Sequence, residues 1–196
     1  MEVTVLNTTN WTIEKLYQLI ANHQLTGVMF HTEASRYLKF LGLKNLAELQ
    51  HNQALDEWQD LECTEDTYLQ WHELMLVPAA ENYDKLTPAE ALSTKVQTVG
   101  REFKRKTLSH FMERWADWEN ETEVLYSTAV KWCIESGCAD MLHFKKLLCD
   151  VCKEKTRLTF LRDKMSLSDW DLVASENLVY DLSTDESKTV GNHKTV

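Results

Sequence analysis

Glycine and proline are scarce in this chain, whose 196 residues include only 5 Gly and 2 Pro. Sandwiches, collagen-like repeats and disordered chains need frequent turn residues or lack aromatic side chains, whereas this chain has 7 Trp, 6 Tyr and 6 Phe. Hydrophobic residues make up 43% of the sequence, and the length suits one domain with a tail. The composition therefore favours a compact all-α protein.

The sequence also lacks a long apolar run and an export signal. Its longest apolar stretches, such as residues 74–80, fall far short of the ~18 to 20 residues that a membrane span requires. Residues 1–10 contain an acid and no Lys or Arg, so they do not resemble the charged start of a signal peptide. We therefore expect a cytoplasmic protein with no membrane partner, whose five cysteines are reduced thiols.

Positive charge is in deficit, because 21 Lys and Arg stand against 31 Asp and Glu, for a net charge of −10. A chain of this charge repels phosphates, which argues against nucleic acid as a partner. The expected partner is an unidentified protein with a basic surface, and a homodimer stays open. Four cations, Arg101, Lys104, Arg105 and Lys106, form either a solvated helix face or a surface for an anionic partner.

Apolar residues recur every three or four positions through most of the chain, which predicts long amphipathic helices. Four are predicted, over residues 11–41, 43–76, 101–136 and 141–165. Residues 7–10 offer N-cap side chains for the first helix. Gly42 and Gly137 are typical C-terminal stops, since glycine adopts a left-handed cap without steric cost. Pro78 ends the second helix.

A crossover and a tail complete the predicted organisation. Thr87–Glu90 has the pattern of a capping box with an early proline, which starts a short crossover helix before Gly100. The bundle domain is then 1–165, and 166–196 is an acidic C-terminal extension whose last part, from Ser183, is predicted to be disordered.

The extension contains six acids before residue 187 and neither Lys nor Arg among them: Asp169, Asp171, Glu176, Asp181, Asp185 and Glu186. Apolar side chains lie between them, among them Trp170, Val179 and Tyr180. Two interpretations remain open. The segment packs on its own bundle, or it presents acids and apolar side chains to a basic protein surface.

Two helical hairpins with short turns, joined by a long crossover, are the arrangement of ferritin-like bundles. An alanine-containing, aromatic first helix, the turn over residues 41–45 and an acidic second helix resemble the first half of a ferritin-like protein, and the resemblance covers about 12–165. A di-iron member has one Glu on each of two helices and Glu-x-x-His on each of the other two. The resemblance places the corresponding positions at Gln24, Glu57 with Asp60, Glu119, and Glu154 with Arg157.

Both histidines of that pattern are missing. Gln24 offers a neutral amide where a bridging anion is needed, and Arg157 brings a permanent cation that metal ions would repel. We therefore expect a degenerate metal site, a structural polar network without cofactor, and a non-catalytic protein that acts by protein–protein interaction. The alternative is a metal-binding protein, a di-iron or manganese oxidoreductase or an iron store, with a non-standard carboxylate site completed if Arg157 points outward.

The remaining candidate ligands are predicted to be structural. Cys149 and Cys152 form a CxxC, but one helix places Cys138 and Cys149 ~16 Å apart, too far for one tetrahedral zinc with Cys133. The histidines are scattered, and surface or packing roles are expected for them: His23, His31, His51, His72, His110 and His143.

Overall fold

The computed structural model describes residue 8, residues 10–80 and residues 100–191. This part of the chain contains helices and no strand, which confirms the all-α prediction. Five helices are present: α1 (Ile13–Leu41), α2 (Lys44–His72), α3 (Arg101–Ser136), α4 (Met141–Leu167) and α5 (Leu172–Gly191).

The ends of α1 are fixed by local side-chain and backbone chemistry. Thr12 is the N-cap, and its hydroxyl accepts from the Lys15 backbone N–H at 3.2 Å. The cap therefore lies just after the residues 7–10 that the sequence suggested. Gly42 ends the helix with a φ of 86°, as predicted, and its N–H donates to the Lys39 carbonyl at 3.1 Å.

Helix α2 ends at His72, one turn before the predicted residue 76, because the following chain bonds to α1 instead. Glu73 adopts a left-handed φ of 56°. The Val77 carbonyl accepts from Gln18 Nε2 at 2.9 Å, and the Ala79 N–H donates to Asn22 Oδ1 at 2.9 Å. The predicted crossover helix before Gly100 lies outside the described residues.

Helices α3 and α4 match their predicted spans closely. α3 has the predicted bounds and is closed by Gly137 with a φ of 69°. α4 begins at the predicted residue and continues two residues beyond Met165. Helical backbone also extends through α5 to Gly191, past Ser183, where the sequence suggested a disordered end.

The helices form two antiparallel hairpins, α1 with α2 and α3 with α4. α3 begins beside the end of α1, where Lys104 Nζ donates to the Leu41 carbonyl at 2.7 Å. The turn after α3 lies beside the start of α1, where the Tyr17 hydroxyl donates to Asp140 Oδ1 at 2.8 Å. α2 and α3 are therefore parallel, so α2 ends and α3 begins at opposite ends of the bundle.

Helix α5 covers the end of the bundle where α1 turns into α2. Val179 is buried, and the Glu176 carboxylate accepts from the backbone N–H groups of Asn45 at 2.8 Å and Leu46 at 3.1 Å. Two apolar clusters lie along the bundle. One surrounds Trp115 near α5 and the other surrounds Tyr17 at the opposite end.

Candidate functional site

Four of the six positions singled out from the sequence line one cleft. Glu57 and Asp60 of α2, Glu119 of α3 and Glu154 of α4 share a cleft of about 280 Å³ with Asp56, Asp150 and Lys153, among others. Gln24 of α1 is fully buried, and Arg157 lies one turn beyond Glu154. Residues from three helices thus meet at a strongly acidic site.

A glycine allows the Glu57 carboxyl to approach α1. A Cβ atom added at Gly27 would lie 2.9 Å from Glu57 Cδ and 3.0 Å from its Oε1. The same atom would lie 3.1 Å from Trp118 Cζ2. Only a residue without a side chain leaves room for this carboxyl between α1 and the Trp118 indole.

Burial raises the pKa of Glu57 well above its usual range, and the neighbouring carboxylates of Glu119 and Asp60 raise it further. The Trp118 indole lies close enough to oppose this rise, although its N–H meets no acceptor at standard hydrogen-bond geometry. The Glu57 carboxyl therefore keeps its proton to a higher pH than an exposed glutamate does.

Glu119 is 4% exposed and accepts from Trp115 Nε1 at 3.0 Å. Burial raises its pKa to about 7; the Trp115 hydrogen bond and Lys155 oppose this rise, while Glu154 adds to it. At neutral pH this carboxyl is therefore partly protonated.

The outer part of the cleft is also acidic. Burial raises the pKa of Asp60 to about 6. The positive charge of Lys146 lowers this pKa, and the negative charges of Asp150 and Asp56 raise it. Arg157 Nη1 lies 3.9 Å from Glu154 Oε1, and its charge restrains the burial-driven rise in the pKa of Asp56. The guanidinium therefore neutralises acids at this side of the cleft.

Gln24 is the least satisfied polar group of this interior. Its side chain is fully buried, yet neither amide atom has a partner at standard hydrogen-bond geometry. The amide lies near the Tyr126 hydroxyl. Burial raises the pKa of Tyr126 and the charge of Glu57 raises it further, whereas the Gln24 amide lowers it. An unsatisfied buried amide costs about 1 to 3 kcal/mol.

The donors present differ from the di-iron ligand set that the resemblance implied. In the described ranges, no three His, Cys, Asp or Glu side chains are arranged to hold a metal ion. Imidazole is absent from the cleft lining, and a cation adjoins the Glu154 carboxylate. Gln24, which the resemblance placed at the first carboxylate position, is a neutral amide.

The two histidines nearest this interior act in packing. His23 stacks on Trp118 with ring centroids 4.2 Å apart, and its Nε2 lies 2.7 Å from the Thr122 hydroxyl. His31 Nδ1 lies 2.7 Å from Gln50 Oε1. Burial lowers the pKa of each ring to about 4, so both are neutral at physiological pH.

One polar cluster at the far end of the bundle was not anticipated from the sequence. Asp140 accepts from the Tyr17 hydroxyl, lies 3.1 Å from His72 Nε2 and accepts from Cys138 Sγ at 2.9 Å. Burial alone would raise the pKa of Asp140, but these contacts hold it below its usual value. The carboxylate joins α1, α2 and the turn before α4. No sequence motif marks Asp140.

Three acids of the C-terminal extension contact other parts of the chain. Asp171 pairs with Arg101, and Asp169 Oδ2 lies 3.0 Å from Arg105 Nη1. Glu176 occupies the start of α2. These contacts favour packing of the extension on its own bundle, and they neutralise part of the basic cluster at the start of α3.

Among the described helices, none has a stretch long and apolar enough to cross a membrane. No known family model matches this chain, and no curated protein matches it.

Proposed function

We propose that this chain is a ferritin-like bundle that acts by binding a protein partner, without catalysis at a di-metal centre. The parallel course of α2 and α3 supports the fold assignment. A connection between opposite ends of the bundle distinguishes ferritin-like topology from a bundle in which every turn is short.

The donor set of the cleft is the observation that carries this proposal. The described lining contains carboxylates but no imidazole, although the ligand set of a ferritin-like di-iron centre includes two histidines. Gln24, at the first carboxylate position given by the resemblance, is a neutral amide. The Arg157 guanidinium beside Glu154 adds electrostatic repulsion toward any cation that enters.

Elemental analysis tests this proposal. Protein purified from cells grown with added iron or manganese is expected to contain much less than one metal ion per chain. A content of about two ions per chain, the complement of a di-metal site, would overturn it.

A restored ligand set provides the matched positive control. The triple variant Gln24→Glu, Asp60→His and Arg157→His supplies the missing carboxylate and both imidazoles at the positions given by the resemblance. It is expected to acquire metal while the native chain does not. If both forms lack metal, with the variant folded by circular dichroism, the ferritin-like register of these positions is wrong.

A metal-binding function is the second candidate, and two observations favour it. Four carboxylates line one cleft, and the Gln24 amide beside them lacks partners. An ion bound only by the native state must raise the melting temperature. A rise with Fe(II) or Mn(II) that disappears in Glu57→Gln would support an oxidase or storage role, and an unchanged melting temperature at millimolar metal would contradict it.

A further inference from the structure

One side of helix α2 exposes large apolar side chains. Leu55, Trp58 and Leu69 are exposed by 48%, 45% and 47%. At ~100° per residue, these positions fall within about one sixth of the helix circumference. They extend over about 21 Å of helix axis, a length of about four turns.

Acidic residues lie between these apolar side chains on the same side of the helix. Glu62, Glu65 and Asp66 make no ion pair within the part of the chain that the structure describes. Helix α2 contains no Lys or Arg after Lys44, so no cation on the same helix compensates them. Burial raises the pKa of Glu65, and the neighbouring negative charges of Asp66 and Glu62 raise it further.

This uncompensated face contrasts with the C-terminal extension. Asp169 and Asp171 have arginine partners within the molecule, and Glu176 binds backbone N–H groups of α2. Unlike these three acids, Glu62, Glu65 and Asp66 have no ion-pair partner among the residues that the structure describes. We call the side formed by Leu55, Trp58, Glu62, Glu65, Asp66 and Leu69 the α2 face.

We propose that the α2 face is a docking surface for a basic amphipathic helix of a partner protein, an inference that rests on the proposed binding function. Exposed Trp58 supplies the apolar anchor at which binding energy concentrates. The acids flanking it attract Lys and Arg of the partner, which accelerates association and orients the incoming helix.

The charge of the α2 face favours this occupant over a second copy of the chain. In a two-fold contact the same surface meets itself, so Glu62, Glu65 and Asp66 of one copy would meet the same acidic surface of the other. Like charges across an interface oppose association, whereas a basic helix removes the repulsion that the acids already experience.

A synthetic peptide of about three heptads, with Leu on one face and Lys elsewhere, provides the probe. As a helix of about 31 Å, it is long enough to cover the α2 face of about 21 Å. We expect it to bind the full chain in fluorescence anisotropy, with affinity that falls at least about tenfold between low and high salt. The same peptide with Glu in place of Lys should not bind.

Variants locate the binding surface. Trp58→Ala is expected to weaken binding at least about tenfold, and the double variant Glu62→Gln with Asp66→Asn should weaken it and flatten its salt dependence. Trp71→Ala is the matched control, since Trp71 is 55% exposed on another side of the same helix. A second control neutralises two exposed acids elsewhere, Asp163→Asn with Glu135→Gln.

Three outcomes would overturn the proposal: no binding of the basic peptide, equal weakening by the α2-face and control variants, or a stable dimer that Trp58→Ala dissociates. The last result would assign the face to a second copy and is measured by sedimentation.

Metal content separates this inference from the proposed function. A negative peptide result in metal-free protein removes only the docking surface, whereas about two metal ions per chain removes the proposed function whatever the peptide does.

Discussion

The Glu119 carboxyl makes protein stability depend on pH near neutrality. Its folded pKa of about 7 lies above the ordinary value of 4.5, so the folded state binds this proton more tightly than the unfolded state. The resulting stability is complete below about pH 4.5 and is lost as the pH rises through about 7. The shift corresponds to a loss of about 3 kcal/mol in the free energy of unfolding between low and high pH.

Glu119→Gln should therefore equal the native protein in free energy of unfolding at about pH 4 and exceed it by about 3 kcal/mol at about pH 8. Urea denaturation across this range measures the difference. His23 and His31 affect stability in the opposite direction. Because burial lowers their pKa values to about 4, the free energy of unfolding decreases as the pH falls from 6.5 toward 4. Both proteins should share that acid decline, and an equal pH profile above neutrality would contradict the assignment to Glu119.

Gly27 is required by the close approach of Glu57 to α1. Gly27→Ala adds helix propensity worth about 1 kcal/mol, but its methyl group would meet the Glu57 carboxyl and the Trp118 ring at 3.1 Å or less. We expect a net loss of about 1 to 2 kcal/mol by urea denaturation. In the background of Glu57→Ala the loss should shrink, and a loss of the same size in both backgrounds would show that Glu57 is not the obstacle.

The five cysteines should differ sharply in reactivity. Burial raises the pKa of Cys133 to about 12, whereas Cys149 and Cys152 are exposed. Because alkylation requires the thiolate and access to it, iodoacetamide should modify Cys149 and Cys152 in the native protein and Cys133 only after unfolding. Peptide mass spectrometry identifies the modified sites. Rapid native labelling of Cys133 would contradict its burial.

The ferritin-like resemblance could indicate which acids would share the cleft, but the sequence could not predict their pKa values. The resemblance gave Glu57 with Asp60, Glu119 and Glu154 as corresponding positions, and all four line the cleft. The pKa of each carboxyl depends on burial and on neighbours from other helices, such as Lys155 beside Glu119. Asp140 could not be found in this way, because its partners Tyr17 and His72 are distant in sequence.

The residue at which a helix ends could be predicted where a glycine is the C-cap. Where tertiary contacts determine the end, it could not be predicted. Gly42 and Gly137 gave correct boundaries because their left-handed conformations are a property of the residue itself. The end of α2 at His72 could not be predicted in the same way. The following backbone bonds to Gln18 and Asn22, which lie more than fifty residues earlier.

The start of α2 depends on a carboxylate supplied by α5. Leu43, its N-cap residue, makes no side-chain cap bond, and Glu176 accepts from the free N–H groups of Asn45 and Leu46 instead. Glu176→Ala should therefore cost about 1 to 2 kcal/mol. Glu176→Gln keeps one carbonyl acceptor and should cost less.

Hydrogen exchange gives this prediction a local readout. The amides of Asn45 and Leu46 should exchange faster in Glu176→Ala than in the native protein. The exchange rates of amides in the middle of α3 should change only as far as the global stability changes. Unchanged exchange at Asn45 and Leu46 would show that the contact contributes nothing to the helix start.

The whole molecule depends on α5 to close one of its two apolar clusters. Val179 is 4% exposed within the cluster around Trp115, and Leu172, Leu178 and Leu182 pack against the same cluster. Removing residues 172–196 takes away these contacts together with the Glu176 cap. The expected loss is about 3 to 5 kcal/mol in urea denaturation, with increased binding of a dye that reports exposed apolar surface.

Val173→Ala is the matched control for this truncation, because Val173 lies on α5 but is 67% exposed. It should leave both readouts within experimental error, since little apolar surface is removed from contact. If truncation leaves stability unchanged, α5 does not belong to the folded unit. If truncation lowers stability but the chain still binds the Leu-Lys peptide at low temperature, the docking surface is independent of α5, as expected for a face whose apolar and acidic side chains all lie on α2.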